Sequence, residues 1–85
     1  MDGFVYFKDN FVEESKAFLP IRTHAFLYGT SVFEGIRAYF NEEDNQLYVF
    51  RAKEHFERIL RSARIMHMEC KYSVDEMLQI TKKLL

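Results

Sequence analysis

Apolar and polar positions change rhythm along the chain, and each change marks an element. Phe4-Val5-Tyr6-Phe7 is a run of aromatic and β-branched residues, which suits a strand. Lys8-Asp9-Asn10 follows as a turn, because Asp and Asn tolerate turn conformations; Asp9 is read as a turn residue, not a catalytic acid. Phe11-Val12-Glu13 returns as the second strand of a hairpin, and Glu13, Glu14, Ser15 and Lys16 read as solvated. Pro20, the only proline, biases Leu19 to an extended conformation, so residues 17–22 form a connector. His24 to Tyr28 is read as a single helical turn ended by Gly29. Residues 33–40 then alternate: Phe33, Gly35, Arg37 and Tyr39 on one side, Glu34, Ile36 and Ala38 on the other, which predicts a strand. Residues 41–46 are polar and acidic, a loop, and residues 47–50 return as an antiparallel partner.

After Arg51 the period becomes helical. Phe56, Ile59, Leu60 and Ala63 fall at i, i+3, i+4 and i+7, which predicts an amphipathic helix over 53–65 with Arg58, Arg61 and Ser62 off the stripe. Ser73 and Glu76 have capping-box spacing and open a second helix, whose inner face is Met77, Leu78, Thr81, Leu84 and Leu85. The chain stops on Leu84-Leu85 inside an apolar pattern, so it is expected to be a piece of a longer protein. The fold class is α+β.

Eighty-five residues form one small domain at most, with a limited core. The aromatic share is 16%, which supplies core area and also suits ligand pockets. The net charge is −1 with acids and bases interspersed; this gives no basic patch for nucleic acid and no cationic membrane face. No apolar run approaches the roughly 20 residues needed to span a bilayer. Met1-Asp2-Gly3 leads straight into a strand-like run, so no secretory leader is expected. One cysteine, Cys70, makes no disulfide framework and suits a reducing compartment, so a cytoplasmic location is expected.

His24, His55 and His67 are scattered, and a lone cysteine builds no thiolate site, so no metal centre is expected. Two features point towards chemistry. Arg37 shares its side with Phe33 and Gly35, and a glycine inside a strand often marks close approach of a ligand. Arg37 there would hold a carboxylate in a fork, or else lie in water on an edge strand with Gly35 as a bulge. The second feature is the basic helix with Arg51, Lys53, Arg58, Arg61 and Arg64, either an anion dock or a solvated face.

The run His24-Ala25-x-x-Tyr28-Gly29-Thr30-Ser31-Val32-Phe33-Glu34-Gly35-Ile36-Arg37-Ala38-Tyr39, followed by Val49-Phe50-Arg51-x-x-Glu54-His55-x-x-Arg58 and Ser62-Ala63, resembles the N-terminal portion of branched-chain aminotransferases. These are fold-type IV pyridoxal-phosphate enzymes. D-amino-acid aminotransferases and aminodeoxychorismate lyases are similar in layout but usually carry a Gly-Asp-Gly type segment where this chain has Gly29-Thr30-Ser31.

The resemblance implies that residues 1–85 are most of the small N-terminal domain, an antiparallel sheet with helices packed on it, and that the large domain lies beyond residue 85. It implies ping-pong transfer of the amino group of Leu, Ile or Val to 2-oxoglutarate through pyridoxal phosphate, in a homodimer or higher homo-oligomer. By position, Arg58 is expected to bind the cofactor phosphate. Phe33 and Gly35 are expected at the substrate side-chain pocket and Arg37 near the substrate carboxylate. Tyr28 is expected to reach a neighbouring subunit's site. The turn at Lys8-Asp9-Asn10 lacks a glycine that relatives often have, and Leu27 replaces a residue that is often His or Asn. Lys8, Lys16, Lys53, Lys71, Lys82 and Lys83 match no Schiff-base position, so the catalytic lysine is expected outside this chain and the 85 residues alone are expected to be inactive. The alternatives are a D-amino-acid aminotransferase or lyase of the same fold, and a non-catalytic domain that binds a ligand or partner.

Overall fold

The structure, a computed structural model, describes residues 3–85, and the Met1-Asp2 start falls outside them. Two hairpins, a short helix and two longer helices follow one another along the chain. The residues fall into two compact units: one runs up to Ser31 and includes Gln79–Leu85, the other is Val32–Leu78.

In the first unit, β1 (Phe4–Phe7) pairs antiparallel with β2 (Asn10–Glu13), with Phe4 opposite Glu13 and Phe7 opposite Asn10. The two connecting residues, Lys8 and Asp9, have φ of 48° and 71°. Positive φ at both central positions is the type I′ turn, whose twist matches that of the strands. The Asn10 side-chain amide donates to the Lys8 carbonyl at 3.2 Å and holds that turn. Tyr6 and Phe11 stand directly opposite and meet edge to face at 4.9 Å. A 3-10 turn over Glu14–Lys16 leads to the irregular connector that Pro20 anticipates. The helix α1 (His24–Tyr28) is one turn long, as read from sequence. It stops because Gly29 takes a left-handed φ of 67° and donates its N–H to the Ala25 carbonyl at 2.8 Å.

In the second unit, β3 (Ala38–Asn41) pairs antiparallel with β4 (Gln46–Val49), Ala38 opposite Val49 and Asn41 opposite Gln46. The strands among the described residues therefore form two separate two-stranded sheets. The strand expected over 33–40 is corrected: residues 32–37 carry no regular secondary structure, and the strand begins at Ala38. The reason is a missing partner. The last cross-strand bond runs from the Phe50 N–H to the Arg37 carbonyl at 2.7 Å. Arg51 then takes a left-handed φ of 52° and the chain turns into a helix, so among the described residues no strand lies opposite residues 32–36.

Helix α2 (Ala52–Ile65) buries the stripe that its sequence announces. Phe56, Ile59 and Leu60 are half-buried, and Ala63, 7% exposed, is the buried apolar residue among those described. The helix closes on a Schellman motif: the His67 N–H donates to the Arg64 carbonyl at 3.0 Å and the Met68 N–H to the Ala63 carbonyl at 2.8 Å. That motif puts His67, with φ of 57°, where glycine usually sits. Helix α3 (Val74–Leu84) opens on the capping box expected of it. The Glu76 N–H donates to Ser73 Oγ and the Ser73 N–H to Glu76 Oε1, each at 3.1 Å. Of its expected inner face, Met77, Leu78, Thr81 and Leu84 are half-buried; Leu85 lies past the helix end and is exposed, and Ile80 joins the covered set.

Two substitutions test these ends. Ser73→Ala removes one of the two reciprocal cap bonds and is expected to cost about 1 kcal/mol in urea unfolding. His67→Gly relieves the left-handed backbone and is expected to add roughly 0.5 kcal/mol; a lower urea midpoint for this variant contradicts the Schellman assignment.

Candidate functional site

The site lies in the Val32–Leu78 unit and is built from two pieces of backbone. The first is the segment ahead of β3. It lacks a strand partner, yet its burial alternates: Val32, Glu34 and Ile36 are half-buried, and Ser31, Phe33, Gly35 and Arg37 are exposed. The second is the polar side of α2. Arg51, Glu54, His55, Arg58 and Arg61 follow helical spacing and line one concavity of about 270 Å³.

The alternation turns a carboxylate inward between two aliphatic residues. The side chain of Glu34 is only 8% exposed. A carboxylate in that position must be met by donors or be neutralised, and α2 supplies the donors. Arg58 Nε donates to Glu34 Oε2 at 2.6 Å and Arg58 Nη2 to Oε1 at 2.5 Å, a side-on fork. His55 Nδ1 lies 2.7 Å from the same Oε1. The bonds from Arg58 first, and from His55 second, lower the Glu34 carboxyl from 4.5 to about 2. The acid is therefore ionised, and His55 carries its proton on Nδ1 to donate to it. The Arg58 guanidinium is in turn pushed above its ordinary value by the Glu34 bond.

The fork leaves one edge of the guanidinium uncommitted to Glu34. Nε and Nη2 face the carboxylate; Nη1 and the outer proton of Nη2 do not. The Arg58 side chain is 61% exposed, so this other edge meets solvent and the concavity. Arg51 and Arg61 line the same hollow, and Glu54 is the one acid among its lining residues. Three guanidiniums around one hollow form a donor set that fits a phosphate group. Of the five basic residues singled out on the helix, Arg51, Arg58 and Arg61 come together here, and Lys53 and Arg64 do not line it.

The expected substrate residues are placed as follows. Phe33 is 87% exposed, and Gly35 and Arg37 are exposed on the same side of the segment. Nothing lies within 4 Å of where a Gly35 Cβ would be, and its φ is not left-handed. Neither conformation nor crowding within this chain requires a glycine there. Tyr28 belongs to the other unit, on α1, and is 70% exposed; its ring lies 4.6 Å from that of His24. The residue that sequence reasoning passed over is Glu34. The signal was a carboxylate on the Val32 and Ile36 side of an alternating run, opposite the side that carries Phe33, Gly35 and Arg37. A larger cavity of about 590 Å³ lies against Ile59, Leu60, Ala63, Met68 and Met77. Its lining is mainly apolar and lacks the convergent cations of the smaller hollow.

No family model matches the chain. Individual relatives do, over nearly its whole length. It is 50% identical over 82 residues to a probable branched-chain-amino-acid aminotransferase of Aquifex aeolicus, covering 96% of this chain and 26% of the relative. It is 36% identical to the branched-chain-amino-acid aminotransferase of Pseudomonas aeruginosa, covering 95% and 26%. It is 35% identical to D-alanine aminotransferase of Staphylococcus epidermidis, covering 95% and 27%. Among solved structures, branched-chain aminotransferase from Thermoproteus uzoniensis superposes with a TM-score of 0.80 at 41% identity, over 86% of this chain and 24% of that one. The class these matches define is the aminotransferases. Within it, the 50% relative and the solved neighbour both carry the name branched-chain aminotransferase, and this chain is similar to a segment of each. The chain spans about a quarter of the length of the relatives it matches.

The depressed Glu34 pKa fixes an acid response. Between pH 4.5 and 2 the unfolded chain protonates Glu34 while the folded chain does not. The stabilisation from this carboxylate is thus complete above 4.5 and is lost as pH falls towards 2. Glu34→Gln is expected to flatten the dependence of unfolding free energy on pH across that window, and equal slopes for both proteins contradict the assignment. Gly35→Ala is expected to leave the unfolding free energy in urea within about 1 kcal/mol of wild type or raise it, because the added methyl meets open space.

Proposed function

We propose that these residues form most of the small domain of a pyridoxal-phosphate-dependent branched-chain aminotransferase, which moves the amino group of Leu, Ile or Val to 2-oxoglutarate. The observation that carries this reading is the Arg58 guanidinium, held by Glu34 at a hollow shared with Arg51 and Arg61 in a chain homologous to such enzymes. When bound, pyridoxal phosphate supplies the carbonyl and the electron sink that let an amino group be received and passed on. Arg58 would bind its phosphate through the edge that Glu34 leaves open, with Arg51 and Arg61 adding positive charge. Arg37 would hold the substrate carboxylate, and Phe33 and Gly35 would shape the pocket for an aliphatic side chain. Their shared exposure on one side of the segment supports that division. The 70% exposure of Tyr28 supports a contact with a second subunit in a homodimer. The amine that moves the proton belongs, in this reading, to sequence outside these residues. The exposed free thiol of Cys70 suits a cytoplasmic setting.

A second reading has one specific support, the 35% identity to D-alanine aminotransferase. The same assay separates the two. The intact protein carrying these residues is expected to turn over L-leucine with 2-oxoglutarate; turnover of D-alanine in its place selects the second reading. In the same protein, Arg58→Ala is expected to weaken pyridoxal phosphate binding by roughly tenfold or more, as loss of a charge-assisted bond implies. Unchanged retention on equilibrium dialysis removes Arg58 from the phosphate site.

A further inference from the structure

Arg58 has a long, flexible side chain, and a flexible cation is a poor anchor unless something fixes its plane. That plane is fixed from one direction. Glu34 engages the side-on edge with both oxygens, at 2.6 and 2.5 Å. The carboxylate itself is fixed, because Oε1 also meets His55 Nδ1 at 2.7 Å and the side chain is 8% exposed between Val32 and Ile36. His55 is 18% exposed and stands on the same helix as Arg58, three residues earlier. The order of constraint therefore runs from the half-buried segment, through the carboxylate, to the exposed guanidinium.

We propose that Glu34 is a positioning residue for cofactor-phosphate recognition: it orients Arg58 so that the Nη1 and outer Nη2 protons face the basic hollow, while His55 holds the carboxylate in register. This inference rests on the reading of Arg58 as a phosphate ligand given above. Glu34 is not expected to touch the phosphate; it would repel it, and its two oxygens are turned to Arg58 and His55.

The role separates from a general structural one by comparing two ligands of the intact apo-protein, pyridoxal phosphate and pyridoxal, which differ only in the phosphate. Glu34→Gln keeps the size of the side chain and removes the charge. It is expected to raise the dissociation constant of pyridoxal phosphate about tenfold and leave that of pyridoxal unchanged. Equal weakening of both ligands, or of neither, overturns the proposal. In an Arg58→Ala background, Glu34→Gln is expected to have no further effect on pyridoxal phosphate; an additive loss also overturns it. Glu34→Asp guards against a variant that does not fold. It keeps the charge and withdraws it by one methylene, so an intermediate loss confined to pyridoxal phosphate is expected, and wild-type affinity counts against the proposal. A wild-type protein that binds neither ligand, or both equally, fails at the phosphate reading itself, and the positioning role falls with it.

Discussion

One inward carboxylate determines how the second unit is put together. Glu34 sits on the covered side of a segment that no strand pairs with, so its backbone has no ladder to hold it. The three bonds from His55 and Arg58 attach that segment to α2 across more than 20 positions of sequence. Their net contribution is tempered by water at the exposed Arg58 end. What they supply above all is placement. With Glu34 tied inward, Phe33, Gly35 and Arg37 are turned outward, and the polar side of α2 has its guanidinium set in a defined plane.

Local features were legible in the residues. The Ser73 and Glu76 spacing, the Gly29 stop and the stripe of Phe56, Ile59, Leu60 and Ala63 each depend on neighbours within a turn or two, and each is present. The extent of the strand at 33–40 was not legible, because it depends on whether a partner exists opposite, which Arg51 ends by turning the chain. The helix end at His67 was hidden for a related reason: a left-handed residue without glycine leaves little trace in composition. At the site, the alternation correctly grouped Phe33, Gly35 and Arg37. The pairing of Glu34 with Arg58 was invisible, since it joins residues 24 apart through a fold that neither one announces. The proposed roles of those residues came from resemblance, not from spacing.

None of the large apolar side chains among the described residues is fully covered. Phe18, Ile21, Phe26 and Phe33 are exposed by 73, 87, 67 and 87%, and Ala63 is the buried apolar residue among those described. The local geometry is set by caps, turns and polar contacts, among them the Ser73 and Glu76 box, the Gly29 stop and the bonds to Glu34. Those devices hold local geometry well, which is what a site made of a short segment and one helix face requires.

The alternation at 32–37 also limits how this segment can change. Its two sides alternate in exposure at every second position, and the side-chain period is two. Inserting or deleting a single residue between Glu34 and β3, with β3, β4 and α2 fixed, would exchange the sides: the acid would face solvent and an aromatic or a glycine would face His55. The segment can therefore drift by substitution on its outer side, where nothing in this chain crowds it, but its length is locked. Residues 33, 35 and 37 can therefore vary in identity, and not in number, without disturbing the contacts of Glu34.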